Sequence, residues 1–181
     1  TWINTSGTTS WSYTLPALTS GKTYLVKSKA QDNSAPLNVQ TPGAGISFVF
    51  DNANPSSTII TPTNGTKLKA LAVISGTSSD DYAGVNNVKI SIKNVNDTTY
   101  WNNATWIGTE TWLTVTGTTN WTYNSPGWTD GKTYLIRSYA TDNAGNSETA
   151  GTGNSFIYDI TNPSSSILTP SNGATLNSLP I

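Results

Sequence analysis

TWINTSGTTSWSYTLPALTSGKTYLVKSKAQDN, residues 1–33, reappears in altered form as TWLTVTGTTNWTYNSPGWTDGKTYLIRSYATDN at residues 111–143. Trp11 and Trp121 occupy matching positions in the two copies, 110 residues apart (121 − 11). Internal similarity over this length is typical of proteins built from repeated structural units. The sequence therefore predicts a tandem array.

The spacing between the copies changes after this matched run. Phe48 and Phe156 are 108 residues apart (156 − 48), so two residues are missing from the second copy. The stretches in question, residues 32–45 and 142–153, are rich in Gly, Pro and Asn. Surface connections have this composition and tolerate changes in length, so we expect a loop here.

The repeat length predicts the size of one unit. A unit that follows Asp51 and ends at Asp159 has 108 residues (159 − 51), close to the about 100 residues of an immunoglobulin-type sandwich. We therefore expect residues 1–51 to be the C-terminal part of a preceding repeat, residues 52–159 a complete repeat, and residues 160–181 the N-terminal part of a following repeat. Neighbouring repeats, or other copies of the chain in a fibre, are the expected partners that complete the partial units.

Alternation of apolar and polar residues predicts β-strands. Val88, Ile90 and Ile92 alternate with lysine and serine, and a second alternating run starts at Tyr134. No window has helical spacing, so the predicted fold class is all-β: immunoglobulin-like antiparallel β-sandwich repeats with about seven strands per unit. Tyr134 is either a tyrosine corner, whose hydroxyl bonds back to the preceding connection, or an ordinary core residue. The predicted strands are 56–61, 69–76, 88–93, 110–115, 120–123, 134–140 and 154–159.

The composition excludes several classes of function. Charged residues make up 10% of the chain and the net charge is −1, with the basic residues scattered singly, so no basic surface for nucleic acid is expected. Cys, Met and His are absent, which excludes disulfides, thiol chemistry and a histidine base. Isolated carboxylates such as Glu110 and Glu148 have no predictable catalytic partner, so we expect no enzyme. No run approaches the about 20 apolar residues of a membrane helix, so we expect no membrane insertion in this segment.

The order of short motifs resembles a known family. NPSSTIITPTNGT at 54–66, ISGTSSDDYAGVNNVKISI at 74–92, GKTYLIRSYATDNAGN at 131–146 and FIYD at 156–159 follow one another. This order is similar to the bacterial and archaeal Ig-like (Big-type) tandem repeats of large surface adhesins and extracellular structural proteins. The resemblance implies an extracellular or cell-surface string of sandwiches that holds a tip, a catalytic module or a neighbouring cell at a distance.

Two function classes follow. The first is a structural and interaction repeat of an adhesin stalk or extracellular filament, which spans distance and mediates assembly. The alternative is a carbohydrate-binding accessory module of a secreted polysaccharide-active enzyme. Many copies of the repeat would favour the stalk, whereas one or two copies beside a catalytic domain would favour the module.

Acidic and amide side chains are expected to meet at one end of the sandwich. In an immunoglobulin topology the start of the unit and the loops after the second and sixth strands lie at the same end, and their oxygens suit Ca²⁺, which takes about six to eight such ligands. The resemblance implies that calcium would stiffen the domain junction. In the other interpretation these residues end turns through bonds to the backbone. The candidate ligands are Asp51, Asn52, Asp80, Asp81, Asp142 and Asn143.

Two further kinds of site are predicted. Tyr100, Trp101 and Trp106 lie in a polar segment, where they form either a platform for sugar rings or a hairpin that folds back and buries its tryptophans. Sequons of the form Asn-x-Ser/Thr are candidates for glycan attachment. Their asparagines are Asn4, Asn64, Asn96, Asn103 and Asn120.

Overall fold

The computed structural model of the chain describes residues 1–178. Within them the regular structure consists of strands alone, and no helix is present that could cross a membrane. Residues 179–181 of the predicted third segment lie outside the described range. The strands are β1 (Lys22–Val26), β2 (Ile46–Phe50), β3 (Ser56–Thr61), β4 (Thr66–Leu68), β5 (Val73–Ser79), β6 (Val85–Asn94), β7 (Thr99–Trp101), β8 (Trp106–Ile107), β9 (Leu113–Thr114), β10 (Asn120–Asn124), β11 (Thr133–Asp142) and β12 (Asn154–Tyr158).

Two facing β-sheets form the main body. One sheet has the order β10-β5-β3, and the other has the order β4-β12-β11-β6-β7-β8, with β9 beside β6. Strand β11 is antiparallel to both β6 and β12, whereas β4 is parallel to β12. Consecutive strands β3 and β4 thus belong to different sheets. The all-β prediction and the sandwich arrangement are confirmed.

The core lies between these sheets and follows from the alternation seen in the sequence. Val88, Ile90 and Ile92 of β6 point inward and are fully buried, as are Tyr134 and Ile136 of β11. Complete burial of one such side chain contributes about 1.5–3 kcal/mol. The core residues are Ile74, Val88, Ile90, Ile92, Leu113, Val115, Trp121, Tyr134, Ile136, Ala140 and Phe156.

Trp121 restricts the residue that can lie opposite it on β5, the neighbouring strand of the same sheet. A Cβ atom at Gly76 would lie 2.1 Å from Cζ2 of the Trp121 ring and 2.1 Å from the Thr58 carbonyl oxygen. Glycine is therefore required at position 76 for the indole to lie against β5. The indole Nε1 donates to the Thr77 carbonyl at 3.1 Å, so its polar atom is also satisfied.

Tyr134 is a tyrosine corner. Its hydroxyl oxygen accepts a hydrogen bond from the backbone nitrogen of Thr129 at 2.9 Å, which ties the connection before β11 to the strand itself. The same bond occurs in the first copy, where the Thr19 nitrogen donates to the Tyr24 hydroxyl at 2.8 Å. The repeat thus preserves a specific tertiary contact as well as a sequence pattern.

Two predicted strands differ from those observed. The strand predicted at 69–76 is displaced to Val73–Ser79, because residues 69–72 connect β4 in one sheet to β5 in the other. The strand predicted at 110–115 is reduced to Leu113–Thr114. The seven predicted strands also lacked β4, β7 and β8, although a hairpin was one of the two interpretations of the aromatic segment.

Residues 1–51 contribute a single antiparallel pair, β1–β2. In the described part of the chain no second sheet covers it, so residues whose counterparts form the core are exposed. Trp11 is 50% exposed whereas Trp121 is 1% exposed, and Val26 is 42% exposed whereas Ile136 is 0% exposed. This pair therefore presents apolar surface of the kind that the two-sheet sandwich buries.

Candidate functional site

Three aspartates from separate parts of the sequence come together where residues 1–51 meet the sandwich. Asp51 follows β2, Asp80 follows β5, and Asp142 ends β11. One carboxylate oxygen from each lies within 4.8 Å of the others. The strand ends position all three residues, so the cluster depends on the fold rather than on a local motif.

Asp142 is the most buried of the three, at 1% exposure. Its Oδ1 accepts a bond from the Asn146 nitrogen at 2.8 Å, and its Oδ2 accepts one from Asn146 Nδ2 at 2.8 Å. Burial alone would raise the pKa of Asp142, but bonds from the Asn146 side chain and from the backbone amides of residues 144–146 hold it below its usual range. Asp142 is therefore ionised at neutral pH.

Asp51 connects residues 1–51 to the sandwich. Its Oδ1 accepts bonds from Ser20 Oγ at 3.2 Å and from the Ala53 nitrogen at 2.9 Å. Its Oδ2 accepts a bond from the Ala83 nitrogen at 3.0 Å, in the loop that follows β5. One carboxylate thus bonds to groups on both sides of the junction.

Asp80 has an unsatisfied oxygen. Its Oδ2 accepts bonds from the Tyr82 nitrogen at 3.1 Å and the Gly84 nitrogen at 2.8 Å. Its Oδ1 is buried and has no hydrogen-bond partner among the described residues. A buried, unpaired carboxylate oxygen is costly, and two further carboxylates beside it add to the cost. A cation bound among the three would remove this cost, and an all-oxygen ligand set suits Ca²⁺.

The three aspartates also end turns through bonds to the backbone, as the other interpretation predicted. Asp51 accepts from the nitrogen two residues later, Asp80 does the same, and Asp142 accepts from the nitrogen four residues later. These bonds account for the positions of the side chains. They do not account for the unpaired oxygen of Asp80.

Of the other predicted ligands, Asp81 is not among the clustered carboxylates, and the two asparagines make hydrogen bonds at the junction. Asp81 is exposed, and Asn52 is exposed and donates its backbone nitrogen to Ser20 Oγ at 3.1 Å. Asn143 uses its Nδ2 to donate to the carbonyls of Ala83 at 2.8 Å and Gly84 at 3.0 Å. Asn143 therefore attaches the β11 end to the loop of Asp80 instead of presenting this group to the cluster.

Sequence reasoning missed Asn146. Its Nδ2 donates both to Asp142 Oδ2 and to the Asp51 carbonyl, the latter at 3.3 Å. The signal was present in the first copy, where Asn38 bonds to Asp32 in the same way, with Nδ2 to Oδ2 at 2.7 Å and the backbone nitrogen to Oδ1 at 2.9 Å. The two additional residues of the first copy lie between this aspartate and this asparagine.

The aromatic segment divides between two faces of the sheet. Trp101 and Trp106 pair across the β7–β8 hairpin and pack against the core, with the Trp106 ring centroid 5.6 Å from that of Tyr134. Trp101 Nε1 donates to the Tyr123 hydroxyl at 3.2 Å. This geometry favours the hairpin interpretation for the two tryptophans. Tyr100 instead lines a groove on the outer face of the sheet.

All five sequon asparagines are exposed. Three of them use the side-chain oxygen as an acceptor: Asn64 from the Ser155 nitrogen at 2.8 Å, Asn96 from the Thr133 nitrogen at 2.7 Å, and Asn103 from the Tyr123 hydroxyl at 2.9 Å. Asn120 begins β10, and Asn4 lies before β1. All five candidate attachment sites therefore lie at the surface.

Comparison of the sequence with protein-family models finds no match, and comparison with curated proteins finds none either.

Proposed function

We propose that the chain is a structural and interaction repeat of a secreted or cell-surface protein, part of an adhesin stalk or extracellular filament. The observation that carries this proposal is the junction between residues 1–51 and the sandwich, whose bonding pattern recurs at the other end of the unit. A stalk needs such a joint, because its reach depends on how each unit is held relative to the next.

The recurrence extends to individual hydrogen bonds. At the first junction the Asn52 nitrogen donates to Ser20 Oγ at 3.1 Å, and at the second the Ile160 nitrogen donates to Asp130 Oδ1 at 2.8 Å. Hydrogen bonds from the Ile160 nitrogen and from the Thr161 hydroxyl lower the pKa of Asp130, so this acceptor is charged at neutral pH. The chain thus leaves each unit in the same way.

A second contact crosses the first junction. Gly21 has a φ of +77°, and a Cβ atom there would lie 2.4 Å from Cε1 of the Tyr82 ring. The tyrosine of one unit therefore rests on the glycine turn of the preceding one. With the Asp51 bonds described above, the junction has both a polar and an aromatic component, which supports a defined orientation between units.

The half-buried aromatic residues of 1–51 also support an array. Tyr24 and Phe48 stack with ring centroids 5.7 Å apart, as Tyr134 and Phe156 do at 5.5 Å. In the complete unit this stacked pair is buried beneath a second sheet. The same surface in residues 1–51 is suited to cover by strands of a neighbouring repeat.

Calcium at the junction is part of the proposal. Asp51, Asp80 and Asp142 would hold the ion, and the unpaired Asp80 oxygen is the structural reason to expect one. Because Asp51 also bonds to Ser20 and Asp80 lies in the loop of Tyr82, an ion there would restrict movement at the joint.

Electron micrographs of the native protein test the proposed function. The proposal predicts extended objects with units repeated along them, either as separate strings of beads or as laterally packed fibres. Isolated compact particles, with one or two copies of the repeat beside a larger catalytic body, would contradict it and favour the accessory-module alternative.

A further inference from the structure

The outer face of the larger sheet contains a groove that the stalk function does not use. On β6 and β11 the residues that alternate with the core point to this face, among them Ser91, Lys93, Leu135 and Arg137. The groove has a volume of about 410 Å³, within the range of small-ligand sites. Its remaining lining comes from Tyr100, Glu110 and residues 150–152.

Arg137 holds both walls of the groove in place. Its Nη1 pairs with Glu110 Oε1 at 3.3 Å on one side. Its Nε donates to the Gly151 carbonyl at 3.0 Å, and its Nη2 donates to the Ala150 carbonyl at 3.3 Å, on the other. The guanidinium also lies 5.6 Å from the centroid of the Trp112 ring. The groove is therefore preformed, which lowers the entropic cost of binding a ligand.

The floor combines an apolar side chain with a hydroxyl. Leu135 and Ser91 both line the groove, and Ser91 is 1% exposed although it faces away from the core. Because Ser91 is buried, the surface that the floor offers a ligand is the apolar side chain of Leu135, on which the apolar face of a sugar ring can pack. The aromatic ring of Tyr100 at the side of the groove adds a surface on which such a ring can pack.

Lys93 supplies a positive charge, and its ammonium lies over the face of the Tyr100 ring. Its Nζ lies 5.4 Å from the centroid of the Tyr100 ring, and no carboxylate of residues 1–178 lies within 4.0 Å of it. The Arg137 charge is already paired with Glu110, so the groove has a net positive charge that comes from Lys93. An uncharged saccharide would leave this ammonium without a partner, whereas a carboxylated one would pair with it.

We infer that this groove binds an acidic polysaccharide, with a uronate carboxylate at Lys93 and a pyranose ring against Tyr100. Arg137 and Glu110 act as positioning residues that hold the walls apart. The inference adds a ligand to the repeat and does not depend on whether the repeats form a stalk.

Retention of the full chain on immobilised polygalacturonate, compared with immobilised dextran, tests the inference. We expect retention on the polyuronate alone, a loss of affinity of about fivefold for Lys93→Gln at low salt, and a loss for Tyr100→Ala. Lys69→Gln is the matched control, because it removes the same charge from an exposed residue outside the groove. The far-ultraviolet circular dichroism of each variant checks that it is folded.

Equal retention on both matrices would overturn the inference. An equal loss of affinity for Lys93→Gln and Lys69→Gln would also overturn it, because it would indicate non-specific attraction to a polyanion. Neither result would change the appearance of the native protein in electron micrographs. Failure of the groove and failure of the stalk are therefore distinguishable.

Discussion

Asp51 Oδ2 accepts a hydrogen bond from the backbone nitrogen of Ala83 at 3.0 Å. The two residues belong to different predicted units, so this bond crosses the junction. It places a carboxylate from the end of β2 beside the loop that carries Asp80. The cluster of three aspartates therefore depends on how residues 1–51 meet the sandwich.

Removal of the Asp51 carboxylate should weaken the junction. Asp51→Ala leaves the nitrogens of Ala53 and Ala83 without their acceptor, and we expect the free energy of unfolding to fall by about 1–3 kcal/mol. Urea denaturation of the full chain measures this change. Asp81→Ala, at an exposed neighbouring aspartate, should stay within about 0.5 kcal/mol of the parent. Equal losses in the two variants would contradict the role given to Asp51.

Glycine at position 76 should be essential. Gly76→Ala forces a methyl group into the Trp121 ring and the Thr58 carbonyl, and we expect a loss of about 1–3 kcal/mol from overpacking. Gly127→Ala is the matched control, because a Cβ atom there meets no atom within 4 Å. Thermal unfolding followed by tryptophan fluorescence compares the two. A Gly76→Ala protein as stable as Gly127→Ala would show that the indole does not lie against β5.

Acid should destabilise the fold through Asp142. Its pKa is lower in the folded chain than its ordinary value, so its contribution is fully present above the unfolded pKa of about 3.9. The contribution is lost as the pH falls from about 5 through the folded pKa, because the unfolded state then binds the proton more readily. Between pH 7 and pH 2, the free energy of unfolding measured by urea denaturation should therefore fall more steeply for the parent than for Asp142→Asn. Identical slopes would exclude this carboxylate as the cause.

The hydroxyl of Tyr134 should stabilise the sandwich. Tyr134→Phe removes only the hydroxyl that accepts from the Thr129 nitrogen, and we expect a loss of about 1–2 kcal/mol. Tyr82→Phe, at an exposed ring, keeps its aromatic contact and should change stability by less than about 0.5 kcal/mol. Denaturant unfolding measures both variants. An unchanged free energy of unfolding for Tyr134→Phe would mean that the hydroxyl does not stabilise the fold.

Alternation of residue types was sufficient to predict the fold class, because the buried apolar residues of β6 alternate with lysine and serine, and buried residues recur at every second position of β11. Sequence left open whether the segment of Tyr100, Trp101 and Trp106 is a platform for sugar rings or a buried hairpin, since the packing of Trp106 on Tyr134 joins residues that are distant along the chain. It also could not separate Asp80 from Asp81, because adjacent residues of one loop differ only in the direction of their side chains. The asparagine that supports Asp142 was identifiable only by comparison of the two loops of different length.

Thermal unfolding of the full chain, with added Ca²⁺ and with a chelator, tests most directly the claim that the junction is the functional site. A metal that binds only the folded state at about 100 times its Kd adds about 2.7 kcal/mol, so we expect a clear rise in Tm for the parent and for Asp81→Asn. Asp80→Asn should lose this rise, because it removes the charge of the unpaired oxygen. An unchanged Tm of the parent on adding Ca²⁺, or an equal rise in Asp80→Asn, would contradict the account.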